Sequence, residues 1–188
     1  MLVTNHVLSG AAIGAAVGAP VPAFALGVVS HFAVDAVPHW GNWGDRRVFL
    51  RIAVADGLVG LATIGAVAAA TERSRRVAVL AGVFGAALPD MNKPGLVFFG
   101  RSPFPAWVDR FHGGIQHEAP GRFVSHELRS AAAFAGAFVA ATLLRSRSAG
   151  PRASRSGQLH PLGRSVLPHV AAAGRVRALV AARPRLSR

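Results

Sequence analysis

The sequence predicts an all-α protein, a small polytopic membrane bundle of about four hydrophobic segments, the first able to form a hairpin, followed by a disordered basic tail. Three observations carry that expectation. Of 188 residues, 52% are hydrophobic and only 15% charged, with a mean hydropathy of +0.39, whereas a soluble domain of this size is about a quarter charged. The apolar residues fall into long runs of Ala, Val and Gly, which suit helices better than strands. The net charge of +13 is also uneven: residues 1–144 carry 11 basic and eight acidic side chains, net +3, while residues 145–188 carry ten Arg and no acid. The chain therefore divides into an integral membrane domain at 1–144 and an Arg-rich, low-complexity tail at 145–188.

Four stretches are long and nearly free of charge: residues 7–37, 52–71, 77–88 continuing towards 99, and 131–144. The second is the clearest span, at about 20 residues. The first is too long for one straight helix and contains Gly18-Ala-Pro-Val-Pro22, which breaks or kinks it. The last two are short enough to be buried or partly inserted helices. Gly10, Gly14 and Gly18 lie four apart, a ridge that lets a second helix approach closely. Residues 1–5 lack the basic leader of a secretory signal peptide, so the first segment is expected to be retained. The basic loop at 72–76 and the tail point to the cytoplasm, although Arg46, Arg47 and Arg51 then fall on the opposite side. Trp40, Trp43 and Trp107 flank segment ends and read as interface anchors.

The tail suits anionic lipid headgroups, and residues 166–186 can form a short helix lying on a membrane surface. Nucleic acid is a poor partner for it, since the tail has no aromatic residue to stack on a base. The oligomeric state is open. Cysteine is absent, which excludes disulfides and thiolate metal sites and leaves His, Asp and Glu as ligands.

Each of the first three apolar segments contains one unpaired carboxylate: Asp35, Asp56 and Asp90. Such groups are costly in apolar helices and usually functional. His31 and Asp35 share a helix face at a spacing of four, and Pro38 leaves His39 free to turn back towards them. In an antiparallel bundle Asp35, His39, Asp56 and Asp90 come to the same end. The loop expected at 100–129 adds His112 and His117 there. Imidazole with carboxylate is ligand chemistry for a divalent metal, zinc first, with manganese or iron as alternatives.

These residues resemble the membrane-bound metal-dependent hydrolase family of the YdjM type, known from a LexA-regulated inner-membrane protein of enteric bacteria. The resemblance rests on Asn5-His6, on Gly85-Ala-Ala-Leu-Pro89-Asp90-Met-Asn92 and on His112-Gly-Gly-Ile-Gln-His117. In the family these places read approximately Thr-His, Gly-x-x-x-Pro-Asp-x-Asp and His-Arg-Gly-x-Thr-His, so Asn92, Gly113 and Gln116 depart from the pattern. The segment Ser30-His31-Phe-Ala-Val-Asp35-Ala-Val-Pro-His39-Trp40 also resembles relatives with a His-x-x-x-Asp helix after the first apolar segment. The likeness spans about residues 1–140 and implies a multi-pass hydrolase of the bacterial inner membrane.

The expected ligands are His31, Asp35, Asp90, His112 and His117, with His6, His39 and Asp56 as further candidates. A metal-activated water would be the nucleophile, and Asp56 or Glu118 the general base. Asn5 or Asn92 would orient a ligand or bind the leaving group. His126 reads as a helix-capping residue. No phosphate-binding glycine loop and no Gly-x-Ser-x-Gly elbow is present. The expected substrate is a phospholipid or another phosphate ester reached at a membrane face. The competing expectations are a non-catalytic membrane protein with a structural metal or hydrogen-bond site, and a cation path.

Overall fold

The computed structural model describes residues 1–42 and 44–148; Trp43 and most of the expected tail lie outside the described residues. Among the described residues every regular element is helical, and the only extended pairing is an isolated bridge between His39 and Glu118. The helices are α1 (Val3–Val17), α2 (Pro20–Asp35), α3 (Arg46–Ala70), α4 (Arg76–Ala87), α5 (Asn92–Phe99), α6 (Ala106–Ile115) and α7 (Arg129–Ser148). A 3-10 turn at Leu88–Met91 joins α4 to α5, and a π-helical turn at Phe123–Leu128 leads into α7.

The first apolar stretch is a helical hairpin. Gly18 closes α1 at φ 75°, its N–H donating to the Gly14 carbonyl at 3.0 Å, a left-handed cap that glycine adopts without a Cβ penalty. α2 restarts at Pro20, where a missing N–H leaves no helical acceptor unpaired. α3 begins on Asp45, whose carboxylate accepts from the N–H groups of Arg47 and Val48.

α1 has no capping side chain of its own. Instead, the Val3 and Thr4 N–H groups donate to Asp56 of α3 at 2.6 and 3.2 Å, and the Thr4 hydroxyl donates to it at 2.6 Å. The Leu2 N–H donates to Glu127 at 3.1 Å. Two carboxylates from later elements therefore satisfy donors that a helix start leaves unpaired, at the end where its dipole favours negative charge.

α1 lies centrally, against α2, α3, α4 and α7, and α4 also packs on α2. Val7, Ala11 and Ala15 meet Val67, Val79, Val83 and Phe138 in the core. Gly10 and Gly14 belong to the expected close-packing ridge: a Cβ on either would collide with the α4 backbone at Gly82 or Ala78. Gly27 of α2 approaches Gly82 in the same way. Gly18 does not take part in that ridge, because it forms the turn.

Two helical stretches, Arg46–Ala70 and Pro120–Arg147, are long and apolar enough to cross a membrane, and α1 and α2 are shorter apolar helices. Val54, Leu58 and Leu61 of α3 and Leu143 and Leu144 of α7 are exposed. The expected loop at 100–129 instead holds α6 and the π-helical turn. α7 continues to Ser148, past the boundary expected at 144. Trp40 is not an interface anchor: it is buried, and its ring lies 6.3 Å from Phe49 and 6.1 Å from Phe123. Trp107 is exposed.

Candidate metal centre

Four elements deliver side chains to one buried point. α2 contributes His31 and Asp35, the 3-10 turn after α4 contributes Asp90, and α6 contributes His112; one ligand atom from each lies within 4.8 Å of the others. The first turn of α1 adds His6, whose ring stacks on His31 at 4.1 Å. Helical spacing gives the first pair, and Pro89 gives the third element, since it opens the 3-10 turn that carries Asp90 inward.

His31 Nε2 is 3.0 Å from His112 Nε2 and 3.3 Å from Asp35 Oδ2. His112 Nε2 is 2.9 Å from the same oxygen. His6 Nε2 lies 3.1 Å from Asp35 Oδ1 and 3.8 Å from Asp90 Oδ2. Asp90 Oδ1 lies 3.9 Å from His31 Nε2 and 3.7 Å from His112 Nε2. Donors held at zinc-ligand bond lengths in a tetrahedron stand about 3.3 Å apart, and these separations bracket that value.

The hydrogen bonding points the same way. His31 Nδ1 donates to the Ala86 carbonyl at 2.7 Å, which leaves Nε2 of the neutral ring bare and facing inward, the arrangement that orients ligating histidines. Both ring nitrogens of buried His6, and Asp90 Oδ1, have no hydrogen-bond partner. Lys93 Nζ sits 2.8 Å from that Asp90 oxygen as an ion pair, so the His6 nitrogens are the atoms left most in need of a partner. Buried polar atoms are seldom left unpaired, and a divalent cation among three imidazoles and two carboxylates would satisfy these. The donor set fits such an ion.

Two ammonium groups border the cluster: Lys93 on Asp90, and the Met1 amino group 2.6 Å from Asp35 Oδ1. Burial alone would raise the Asp90 carboxyl, but the Lys93 ammonium, aided by His6 and His31, holds it well below the usual carboxylate range. Burial would lower Lys93, yet Asp90 and Asp35 outweigh it and push its pKa up, so the side chain stays charged. Gln116 Nε2 lies 2.9 Å from both Asp35 Oδ2 and His112 Nε2, closing one side.

The other expected site residues are not among the cluster's donors. His117 is exposed, and among the described residues its carbonyl is what is engaged, accepting from the His39 N–H and from Arg122. The cause is the end of α6 at Ile115: the chain turns there, and Gln116 rather than His117 reaches inward. His39 is buried beside the cluster, its Nδ1 donating to the Val37 carbonyl at 2.8 Å and its Nε2 3.6 Å from Glu118 Oε1. Asp56 is turned into the start of α1, where three donors occupy it, so its geometry is that of a cap rather than of a base at the centre. Asn5 donates to Glu127 at 2.6 Å; Asn92 donates to Asp109 at 3.2 Å and borders the same small cavity as His112 and Gln116. His126 pairs with the Ser125 hydroxyl at 2.7 Å.

Sequence reasoning missed Lys93, Gln116 and Glu127. Each had a signal: the single Lys among 21 basic residues, a Gln four after His112, and the only acid in residues 123–148.

Two cavities reach the cluster's edge. An apolar cleft of about 340 Å³ is lined by Phe49, Val54, Gly57, Val97 and Phe98, with Asp90, Lys93 and Glu118 among its polar groups. A second, of about 190 Å³, is bordered by Lys93, His112 and Gln116. Compared with known proteins, the chain matches no family model, no curated protein and no solved structure at a significant level.

Proposed function

We propose that this chain is a multi-pass, metal-dependent hydrolase of a bacterial inner membrane, acting on a phosphate ester. The observation that carries the proposal is the meeting of His6, His31, Asp35, Asp90 and His112 at one buried point bordered by two cavities. A structural metal site is closed, whereas a catalytic one keeps a position for water and substrate. The resemblance to membrane-bound metal-dependent hydrolases gains support from the fact that three residues carrying it, His6, Asp90 and His112, belong to this one cluster. Membrane residence rests on the two long apolar helices and on the exposed leucines and valines of α3 and α7.

A divalent metal, zinc being the first candidate for a His/Asp donor set, would be held by His6, His31, Asp35, Asp90 and His112 and would supply Lewis acidity that makes a water easier to deprotonate. The protein's own groups do the rest. The Ala86 carbonyl fixes the His31 tautomer, and Gln116 steadies Asp35 and His112. Glu118, in the cleft and 3.6 Å from His39, accepts the proton of the attacking water. His39 Nε2, bare because Nδ1 donates to Val37, would share that proton with Glu118 while the water oxygen bonds to phosphorus, and the proton would go to the alcohol oxygen as the ester P–O bond breaks. Lys93 holds an anionic oxygen of the substrate.

The test is metal analysis of detergent-purified protein beside His31→Ala and His112→Ala, followed by assays on nitrophenyl phosphate mono- and diesters. Bound metal in the wild type, its loss in both variants, and turnover abolished by chelator are expected. Equal metal content in all three proteins would end the proposal. Metal without turnover would favour the non-catalytic reading, a structural metal site in a membrane protein.

A further inference from the structure

The larger cleft explains which phosphate ester could be chosen. Its walls are almost entirely apolar: Phe49, Leu50, Ala53 and Val54 from α3 face Pro94, Val97 and Phe98 from α5. Its polar groups are few. Of these, Asp56 is occupied by the donors of α1, the Met1 amino group is paired with Asp35, and Glu118 lies beside His39, which leaves the Asp90–Lys93 pair at the metal centre. Lys93 is the only basic side chain in the lining. Val54 of α3 and Phe98 of α5, both in the lining, are themselves exposed, so the cleft runs on into the apolar face of a helix long enough to cross a membrane. At about 340 Å³ it is at the small end of ligand pockets, far too narrow for a helix about 10 Å across. It suits an unbranched chain.

Gly57 shows how the space is kept. It sits mid-helix in α3, where glycine has no backbone role to play, and a Cβ there would meet nothing within 4 Å. The missing side chain is therefore room rather than close packing.

We infer that this cleft seats one acyl or alkyl chain of an amphiphilic phosphate ester, entering from the bilayer, with its phosphate at the Lys93 ammonium. The inference rests on the proposed hydrolase reading for the metal that faces the phosphate.

The test uses full-length protein held in amphipol, so that no detergent chain competes, and measures binding of ethyl, butyl, hexyl and octyl phosphonate, inert analogues of the ester. Affinity in the wild type should rise about fourfold per methylene from ethyl to hexyl. Gly57→Phe should remove that rise while leaving bound metal and ethyl phosphonate affinity unchanged. Lys93→Gln should weaken every phosphonate about tenfold and leave the slope intact. A slope unaltered in Gly57→Phe, or inorganic phosphate binding as tightly as hexyl phosphonate, would overturn the inference. If the protein holds no metal but the slope persists and Gly57→Phe removes it, the chain seat stands and the hydrolase reading falls. If short nitrophenyl esters are hydrolysed with no slope at all, the reverse holds.

Discussion

His31 Nε2 and His112 Nε2 approach to 3.0 Å while His31 gives its other ring hydrogen to the Ala86 carbonyl. One bare nitrogen thus faces the other ring beside the oxygens of Asp35 and Asp90. Such a pair is uncomfortable without a shared proton or cation, and the following outcomes separate the two.

Zinc should raise the unfolding midpoint of the wild type and leave His112→Ala unmoved. Binding to the folded state alone stabilises by about 2.7 kcal/mol when free metal is 100-fold above Kd. Scanning fluorimetry with and without chelator checks it; equal shifts in both proteins would place the metal elsewhere.

Gln116→Ala should keep the metal but weaken it by about 10- to 100-fold, the usual effect of losing a group that orients ligands. His117→Ala should change nothing, because that ring lies outside the cluster. Competition with a chromogenic chelator gives both numbers.

Asp56→Ala should destabilise the fold by about 1–2 kcal/mol through loss of the α1 cap, with metal stoichiometry unchanged. Glu127→Ala should cost more, about 2–4 kcal/mol, because it strands the buried Asn5 and Trp40 donors and the half-buried Leu2 N–H. Denaturant titration reads the difference; loss of metal at unchanged stability in Asp56→Ala would return it to the site.

Gly82→Ala should destabilise by about 1–3 kcal/mol, since its Cβ would enter the α1 backbone at Gly10. Gly65→Ala on α3 meets open space and should be neutral or stabilising by up to about 1 kcal/mol. The two glycines look alike in sequence, and only the crossing partner distinguishes them.

The absence of native Cys makes accessibility simple to measure. Leu61→Cys, exposed on α3, should resist an impermeant maleimide in intact membranes and react after denaturation, whereas Arg73→Cys should react in one vesicle orientation. Ready labelling of Leu61→Cys in intact vesicles would remove α3 as a span.

Much of the helical class was legible, because Ala- and Gly-rich apolar runs punctuated by Gly18 and Pro20 leave few alternatives. The coming together of His31, Asp35, Asp90 and His112 was legible too, from antiparallel topology and lone carboxylates. What failed depended on events one residue long. α6 ends at Ile115, which turns Gln116 inward and His117 out. The role of Asp56 was hidden because remote capping leaves no pattern: a carboxylate that seats another helix's first turn has the same local sequence as one that binds a cation. Trp40 was misread for a related reason, since its partners Phe49 and Phe123 are distant in sequence.

The seating of α1 by Asp56 and Glu127 also sets an order of assembly. The candidate donors run from residue 6 to residue 112, and the helix bearing the first of them is held by groups at 56 and 127. No shorter nascent fragment contains a complete centre. A cation bound at this centre would therefore be captured only once the chain has been made as far as Glu127, and its capture would report that the elements up to the π-helical turn have found their places.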